Sequence, residues 1–177
     1  MTYDQLEHAI RAACTVSGDS DLYIFGSQAI LGEHPDAPPE LRTSIEVDVQ
    51  PKNHPETTDK IDGALGELSQ FHTTYGFYVH GVSIEAATLP AGWEDRTVPV
   101  SHPIGTRGNT GHCLETHDLA ASKLVAFREK DRHFVRILLT EGLVDPDVLQ
   151  DRIETLPVDD EKKTMLKDWV AITVEEL

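Results

Sequence analysis

Glu46 and Asp48 stand two positions apart in Ser44–Gln50, where Ile45, Val47 and Val49 alternate with them. Alternation of this kind is the pattern of a β-strand, whose residues i and i+2 project from one face. Such a strand sets two carboxylates side by side and anchors its apolar face, Ile45, Val47 and Val49, in a core. Adjacent carboxylates repel, and each raises the other's pKa. A divalent cation removes the conflict. Mg²⁺ takes hard oxygen ligands, commonly one or two carboxylates together with substrate phosphate oxygens. The same spacing also describes the wet side of an amphipathic strand, so the pair alone leaves both uses open.

Two further groups could serve a phosphate. The apolar run Leu22–Phe25 ends in Gly26–Ser27, and Gln28–Leu31 has the character of a first helical turn. Glycine lets backbone approach a ligand closely, and a hydroxyl with its N–H at a helix start suits an anion. Lys123 falls inside the apolar stripe Leu119, Ala120, Leu124, Ala126 and Phe127 of a helix expected over 118–130, with Lys130 on the same side. A lysine there either snorkels to the rim or meets an anion. Arg128–Glu129–Lys130–Asp131 would close that helix, where cations also complement the helix dipole.

Charge narrows the partners. The chain of 177 residues has 15 basic and 31 acidic side chains, a formal charge of −16 that repels nucleic acid and anionic lipid at long range. Between Arg107 and Arg136 six basic residues outnumber four acidic ones. That net-positive stretch is where an anionic ligand is expected. No apolar run is long enough to cross a membrane, and Met1–Glu7 lacks the features of a signal peptide. Two cysteines, Cys14 and Cys113, exclude a disulfide framework, and a cytoplasmic location is the default. His112, Cys113 and His117 lack the spacing of a tetrahedral zinc site. Trp93 and Trp169 are expected to pack rather than to stack on bases.

The elements that must position these residues can be laid out along the chain. A helix should start at a Thr2/Gln5 capping box, carry Leu6, Ala9, Ile10 and Ala13 inward, and stop at Gly18. Strands are expected at 22–25 and 44–50, a helix at 56–69, two strands within 71–89, a strand at 96–100 and a loop over 101–111. Helices should then follow at 118–130, 132–141, 147–155 and 159–170, with Asp145–Pro146 starting the third. The fold class is α/β (α+β), with an α/β core over 1–115 and a helical module over 116–177 packed on it as one compact unit.

Leu22–Ser27 with Glu46–Asp48 resembles the Gly-Ser and paired-acid signature of the nucleotidyltransferase superfamily that includes DNA polymerase β. Asp118–Leu124 and Arg128–Asp131 resemble two downstream motifs of abortive-infection-type nucleotidyltransferase toxins. The whole chain also resembles a little-characterised bacterial family with this core. The resemblance implies a mixed sheet flanked by helices, with a C-terminal helical module over the active site. It implies Mg²⁺ (or Mn²⁺) held by Glu46 and Asp48, and an NTP whose NMP is moved to a hydroxyl or phosphate acceptor. By position, Gly26 and Ser27 would touch the triphosphate and Lys123 a phosphate, while Arg128, Lys130 and Asp131 would complete the nucleotide pocket. A third carboxylate is expected on a later strand, with Glu85 the first candidate and His80 the second. An acid expected soon after Asp131 is replaced by His133 and Phe134. A toxin role would bring a cognate antitoxin as partner, and the net charge disfavours an RNA acceptor. Two other readings stand beside this one: a catalytically degenerate member that binds a nucleotide or a protein, and a transferase acting on a cationic small molecule such as an aminoglycoside.

Overall fold

The computed structural model describes residues 1–177. The chain order is α1 (Tyr3–Ser17), β1 (Asp21–Phe25), α2 (Ile30–Glu33), β2 (Glu46–Pro51), α3 (Thr58–Leu65), α4 (Gln70–Tyr75), β3 (Tyr78–Gly81), α5 (Trp93–Arg96), β4 (Val98–Val100) and β5 (Thr110–Cys113). Four helices follow: α6 (Thr116–Ala126), α7 (Glu129–Thr140), α8 (Pro146–Glu154) and α9 (Asp160–Glu175). The strands form one mixed sheet in the order β3-β2-β1-β5-β4. β1 runs antiparallel to β2 and parallel to β5; β3 is parallel to β2, and β4 is antiparallel to β5. This is the helix-flanked mixed sheet, followed by helices, that the resemblance implies.

Local chemistry accounts for the elements nearest the site. The capping box of Thr2 and Gln5 starts α1, and Gly18 in the left-handed conformation ends it. Its buried stripe, Leu6, Ala9, Ile10 and Ala13, lies on the sheet face that carries Leu22, Ile24, Val47, Val49 and Val79. α3 packs beside α1 on the same side. Because strand side chains alternate, Glu46, Asp48 and His80 stand on the opposite face, which this helix layer leaves uncovered. Ile45 lies outside β2 and is largely exposed, so Pro51 rather than Ile45 completes the strand's buried row.

The structure corrects four other expectations. The segment 71–89 contains one strand, not two. Phe71 and Tyr75 share a face of α4 and meet Phe77 and His8 in an aromatic cluster, so aromatic content there serves a helix. The helix expected over 56–69 ends at Leu65, where Gly66 turns extended; Ser69 then caps α4 and Leu68 points to solvent. The loop expected over 101–111 runs into β5, a strand between β1 and β4. Its Thr-Gly-His-Cys sequence has little strand propensity, so pairing on both sides decides it. The helix expected over 118–130 breaks: Phe127 takes a left-handed conformation (φ +53°) and Arg128 becomes the N-cap residue of α7. Arg128–Asp131 therefore opens a helix instead of closing one, and the dipole does not favour its cations there.

Gly111 in β5 stands where the packing tolerates no side chain. A Cβ there would lie 2.5 Å from Ile24 Cδ1 and 2.6 Å from Ile10 Cδ1. Gly111→Val should destabilise the fold by about 2 kcal/mol through overpacking. Urea denaturation checks this, and an unchanged midpoint would mean that β5 is not clamped beneath α1.

Candidate active site

The two carboxylates meet a histidine. β3 pairs with β2 in a register that sets His80 opposite Asp48. His80 Nδ1 lies 2.9 Å from Asp48 Oδ1 and 3.0 Å from Glu46 Oε1. One donor atom from each of the three residues falls within 4.8 Å of the others. The side chains of Glu46, Asp48 and His80 remain 37%, 25% and 40% exposed, so a ligand can reach them. Gly26 closes β1 beside this group with φ +70°, and a Cβ there would lie 2.1 Å from Asp48 Oδ2. Glycine at this position thus leaves room for a carboxylate.

Electrostatics make the cluster a competitive site for protons and cations. Burial raises the pKa of Asp48, and burial together with the Asp48 charge raises that of Glu46. Burial opposes a proton on His80, but its hydrogen bond to Asp48 and the charges of both carboxylates outweigh this and raise its pKa. A proton held on His80 would neutralise part of the charge that a metal otherwise neutralises. Two carboxylates fit Mg²⁺ or Mn²⁺, and an added imidazole favours softer divalent ions over Mg²⁺. The donor set thus fits a divalent cation.

Cations face this cluster across a cleft. Lys123 on α6 has a side chain only 14% exposed, with Nζ 3.6 Å from Asp131 Oδ1 and 4.9 Å from the centre of the Phe134 ring. Arg128 donates to Asp131 from Nε at 2.6 Å and from Nη2 at 3.3 Å. Asp131 is itself 1% exposed. Burial raises its carboxyl's pKa, but the Arg128 hydrogen bonds and the charge of Lys123 prevail and hold it below the ordinary value. Burial also pulls Lys123 below the usual lysine range, against the attraction of Asp131. An anion in the cleft would relieve that cost.

The left-handed turn at Phe127 makes this grouping possible, since it folds α7 back so that Arg128 and Asp131 reach Lys123. α6 is held in turn by Asp118, which is wholly buried. Arg96 donates to both its oxygens, at 2.8 and 2.9 Å, and Arg152 Nε lies 3.0 Å from Oδ1. The clamp joins α6 to α5 and α8.

Gly26, Asp48, His80, Lys123, Arg128 and Asp131 form a wall common to two adjoining cavities of about 440 and 580 Å³. The larger cavity adds Ser27, Glu46, Lys130 and His133 and is polar. The smaller adds mostly apolar side chains from α6 and the 82–88 segment. Of the residues singled out from sequence, the fold therefore gathers Gly26, Ser27, Glu46, Asp48, Lys123, Arg128, Lys130 and Asp131. Glu85 is not among them: it sits exposed on a 3-10 turn (Ile84–Ala86) and lines neither cavity. The place beside the acid pair belongs to His80, whose alternation with Val79 in Tyr78–Gly81 is the sequence signal for it. Asp131 turns its carboxylate to Lys123 and Arg128, and so acts on the cleft through them. The hinge at Phe127 and the arginine partners of Asp118 leave no mark in the local pattern; Arg96 and Asp118 lie 22 residues apart. His112, set aside as a zinc ligand, pairs with Asp21 at 2.8 Å.

A family model described as "Nucleotidyltransferase of unknown function (DUF6036)" matches residues 4–175. No curated protein matches the chain, and no solved structure matches it.

Asp131→Asn should cost about 3 kcal/mol at neutral pH, because it leaves the buried Lys123 without its anion. The native pKa of Asp131 is lowered, so its stabilisation is fully present above the ordinary 3.8 and fades as pH falls through the native value. Denaturation of both proteins from pH 7 down to pH 3 should show the gap narrowing only below about pH 4. A gap that stays constant would remove the ion pair as its cause.

Proposed function

Because the chain belongs to the DUF6036 family of nucleotidyltransferases, we propose that its cleft transfers an NMP from an NTP to an acceptor hydroxyl, with a divalent cation at Glu46 and Asp48. The observation that carries this is the shared wall. Asp48 and His80 stand on its sheet side, with Glu46 next to them in the polar cavity, and Lys123 and Arg128 face them from α6 and the start of α7. One side of the cleft takes a cation and the other takes the phosphates that the cation accompanies.

Glu46 and Asp48 would hold the metal, with His80 Nδ1 as the third donor. When bound, the metal supplies charge neutralisation at the transferring phosphoryl group and at the leaving pyrophosphate. Gly26 and Ser27 line the polar cavity, which suits the triphosphate. Lys123, Arg128 and Lys130 bring positive charge to it, and Asp131 keeps the first two aimed. Asp131 is thus a positioning residue. The apolar packing around Lys123 lowers the local dielectric and strengthens its attraction for phosphate.

The histidine where a third carboxylate was expected also favours a second reading, in which the protein binds a nucleotide without transferring it. Calorimetry that finds NTP binding with no pyrophosphate release, from any acceptor or from water, would select it. A toxin role rests only on the resemblance of 118–124 and 128–131, and growth arrest on expression that Asp48→Asn relieves would support it.

In the transfer assay with labelled NTP, Asp48→Asn should lower the rate by about a hundredfold or more. It should also abolish the rise in Tm that Mg²⁺ or Mn²⁺ gives the wild type. His80→Ala should weaken the Mn²⁺ shift more than the Mg²⁺ shift, since imidazole suits the softer ion better. Equal labelling by wild type and Asp48→Asn would dispose of the transferase assignment.

A further inference from the structure

The smaller cavity departs from the character of the rest of the molecule. Beyond the wall that it shares with the polar cavity, it is lined by Phe25, Val82, Ala86, Ala87, Leu119 and Val125, and by Ala126. Its only other polar side chains are the hydroxyls of Thr88 and Ser122. In a chain of net charge −16 this lobe contributes no charged group of its own. Its outer wall is held in place: Gln50, on the open face of the sheet, accepts a hydrogen bond from the Ile84 N–H at 2.7 Å, which pins the 82–88 segment over the strands.

The two cavities meet on the acid–imidazole cluster, and that arrangement carries a chemical consequence. In-line displacement at phosphorus places the attacking oxygen opposite the departing one. With the triphosphate in the polar cavity, pyrophosphate leaves on that side, and the attacking hydroxyl arrives from the apolar one. We propose that the apolar lobe is the acceptor site and that the acceptor is a small, uncharged alcohol or phenol with a ring-sized apolar body. This rests on the transferase reading of the same cleft. In the step, the acceptor oxygen forms a bond to the α-phosphorus as the bond from that phosphorus to the β-phosphate bridging oxygen breaks. The hydroxyl proton passes to water in the open cleft, and pyrophosphate departs with the bonding electrons.

The lining argues against the other acceptor classes. A nucleic acid is bound chiefly through lysine and arginine contacts to its phosphates, and the lobe adds none to those already facing the triphosphate. An aminoglycoside needs several free carboxylates to meet its ammonium groups. Here the shared Asp48 and Asp131 are engaged by His80 and by Lys123 and Arg128. A cavity of about 440 Å³ lies within the range of small-molecule sites.

The test measures pyrophosphate release from Mg²⁺–NTP by the full chain with five additions: 4-methylphenol, cyclohexylmethanol, glycerol, kanamycin or a short RNA with a free 3′-hydroxyl. The two apolar alcohols should raise release above the water background by about tenfold or more, and the other three should not. Ala87→Trp, from the 82–88 wall, and Ala126→Phe, from the facing helix, should each remove that stimulation. Both should keep NTP affinity within about twofold by calorimetry. The two variants enter from different elements, so retained Tm in either one keeps the result free of misfolding. Best stimulation by kanamycin or RNA, stimulation that survives both substitutions, or no stimulation by the alcohols in a protein that does hydrolyse NTP would each overturn the proposal. So would a loss of NTP affinity in both variants, which would place the nucleoside in this lobe. Wild-type protein that binds NTP but never releases pyrophosphate, even to water, would instead defeat the transferase reading, and the proposal with it.

Discussion

Two carboxylates on one side of a strand cannot both be charged cheaply, and much of this structure is arranged around that conflict. β2 forces the juxtaposition, because its buried valines fix which residues face outward. β3 answers part of the conflict with His80, whose Nδ1 is within hydrogen-bonding distance of both acids. Burial raises the carboxyl pKa of both acids, the charge of Asp48 adds to the rise of Glu46, and the two acids together raise that of His80. A divalent cation answers the same conflict more fully.

A second conflict is matched to the first. Lys123 is largely buried on α6, and the nearby Asp131 offsets only part of its desolvation. The pair is assembled by a break in the chain. If α6 continued through Phe127, as the periodicity of 118–130 suggests, Arg128 and Asp131 would be carried along the helix away from Lys123. A left-handed residue other than glycine is costly, and here the Phe127 ring is held by Arg132 and Lys162, 4.9 and 5.4 Å from its centre, and by the edge of Trp169. The strained turn lies one residue before the arginine that faces the cleft. Asp118, clamped by Arg96 and Arg152, fixes the other end of α6.

These two conflicts also explain why the cleft divides. The sheet side of the shared wall is anionic and the helix side cationic. Charged and hydroxyl groups continue from this wall toward Ser27 and Lys130, and apolar ones toward Ala87 and Val125. One cluster thus borders two environments, one suited to phosphate and one to an uncharged body.

Much of the site was legible in the chain because it depends on local pattern. Glu46 and Asp48 are readable from strand period two, Gly26–Ser27 from the end of an apolar run, and Lys123 from its place in a helical stripe. The acidic pair, the lone lysine and the α/β element order follow from the sequence itself, since periodicity and capping operate over a few residues. What only the tertiary structure decided is what those residues face. The register of β3 on β2 brought His80, not Glu85, to the acids. Pairing on both sides made a strand of Thr110–Cys113 despite weak propensity, and ring contacts with α7 and α9 accompany a helix break at Phe127 where local pattern continued the helix. Each of these depends on partners distant in the chain, and the energy of such contacts is not written in the spacing of neighbours.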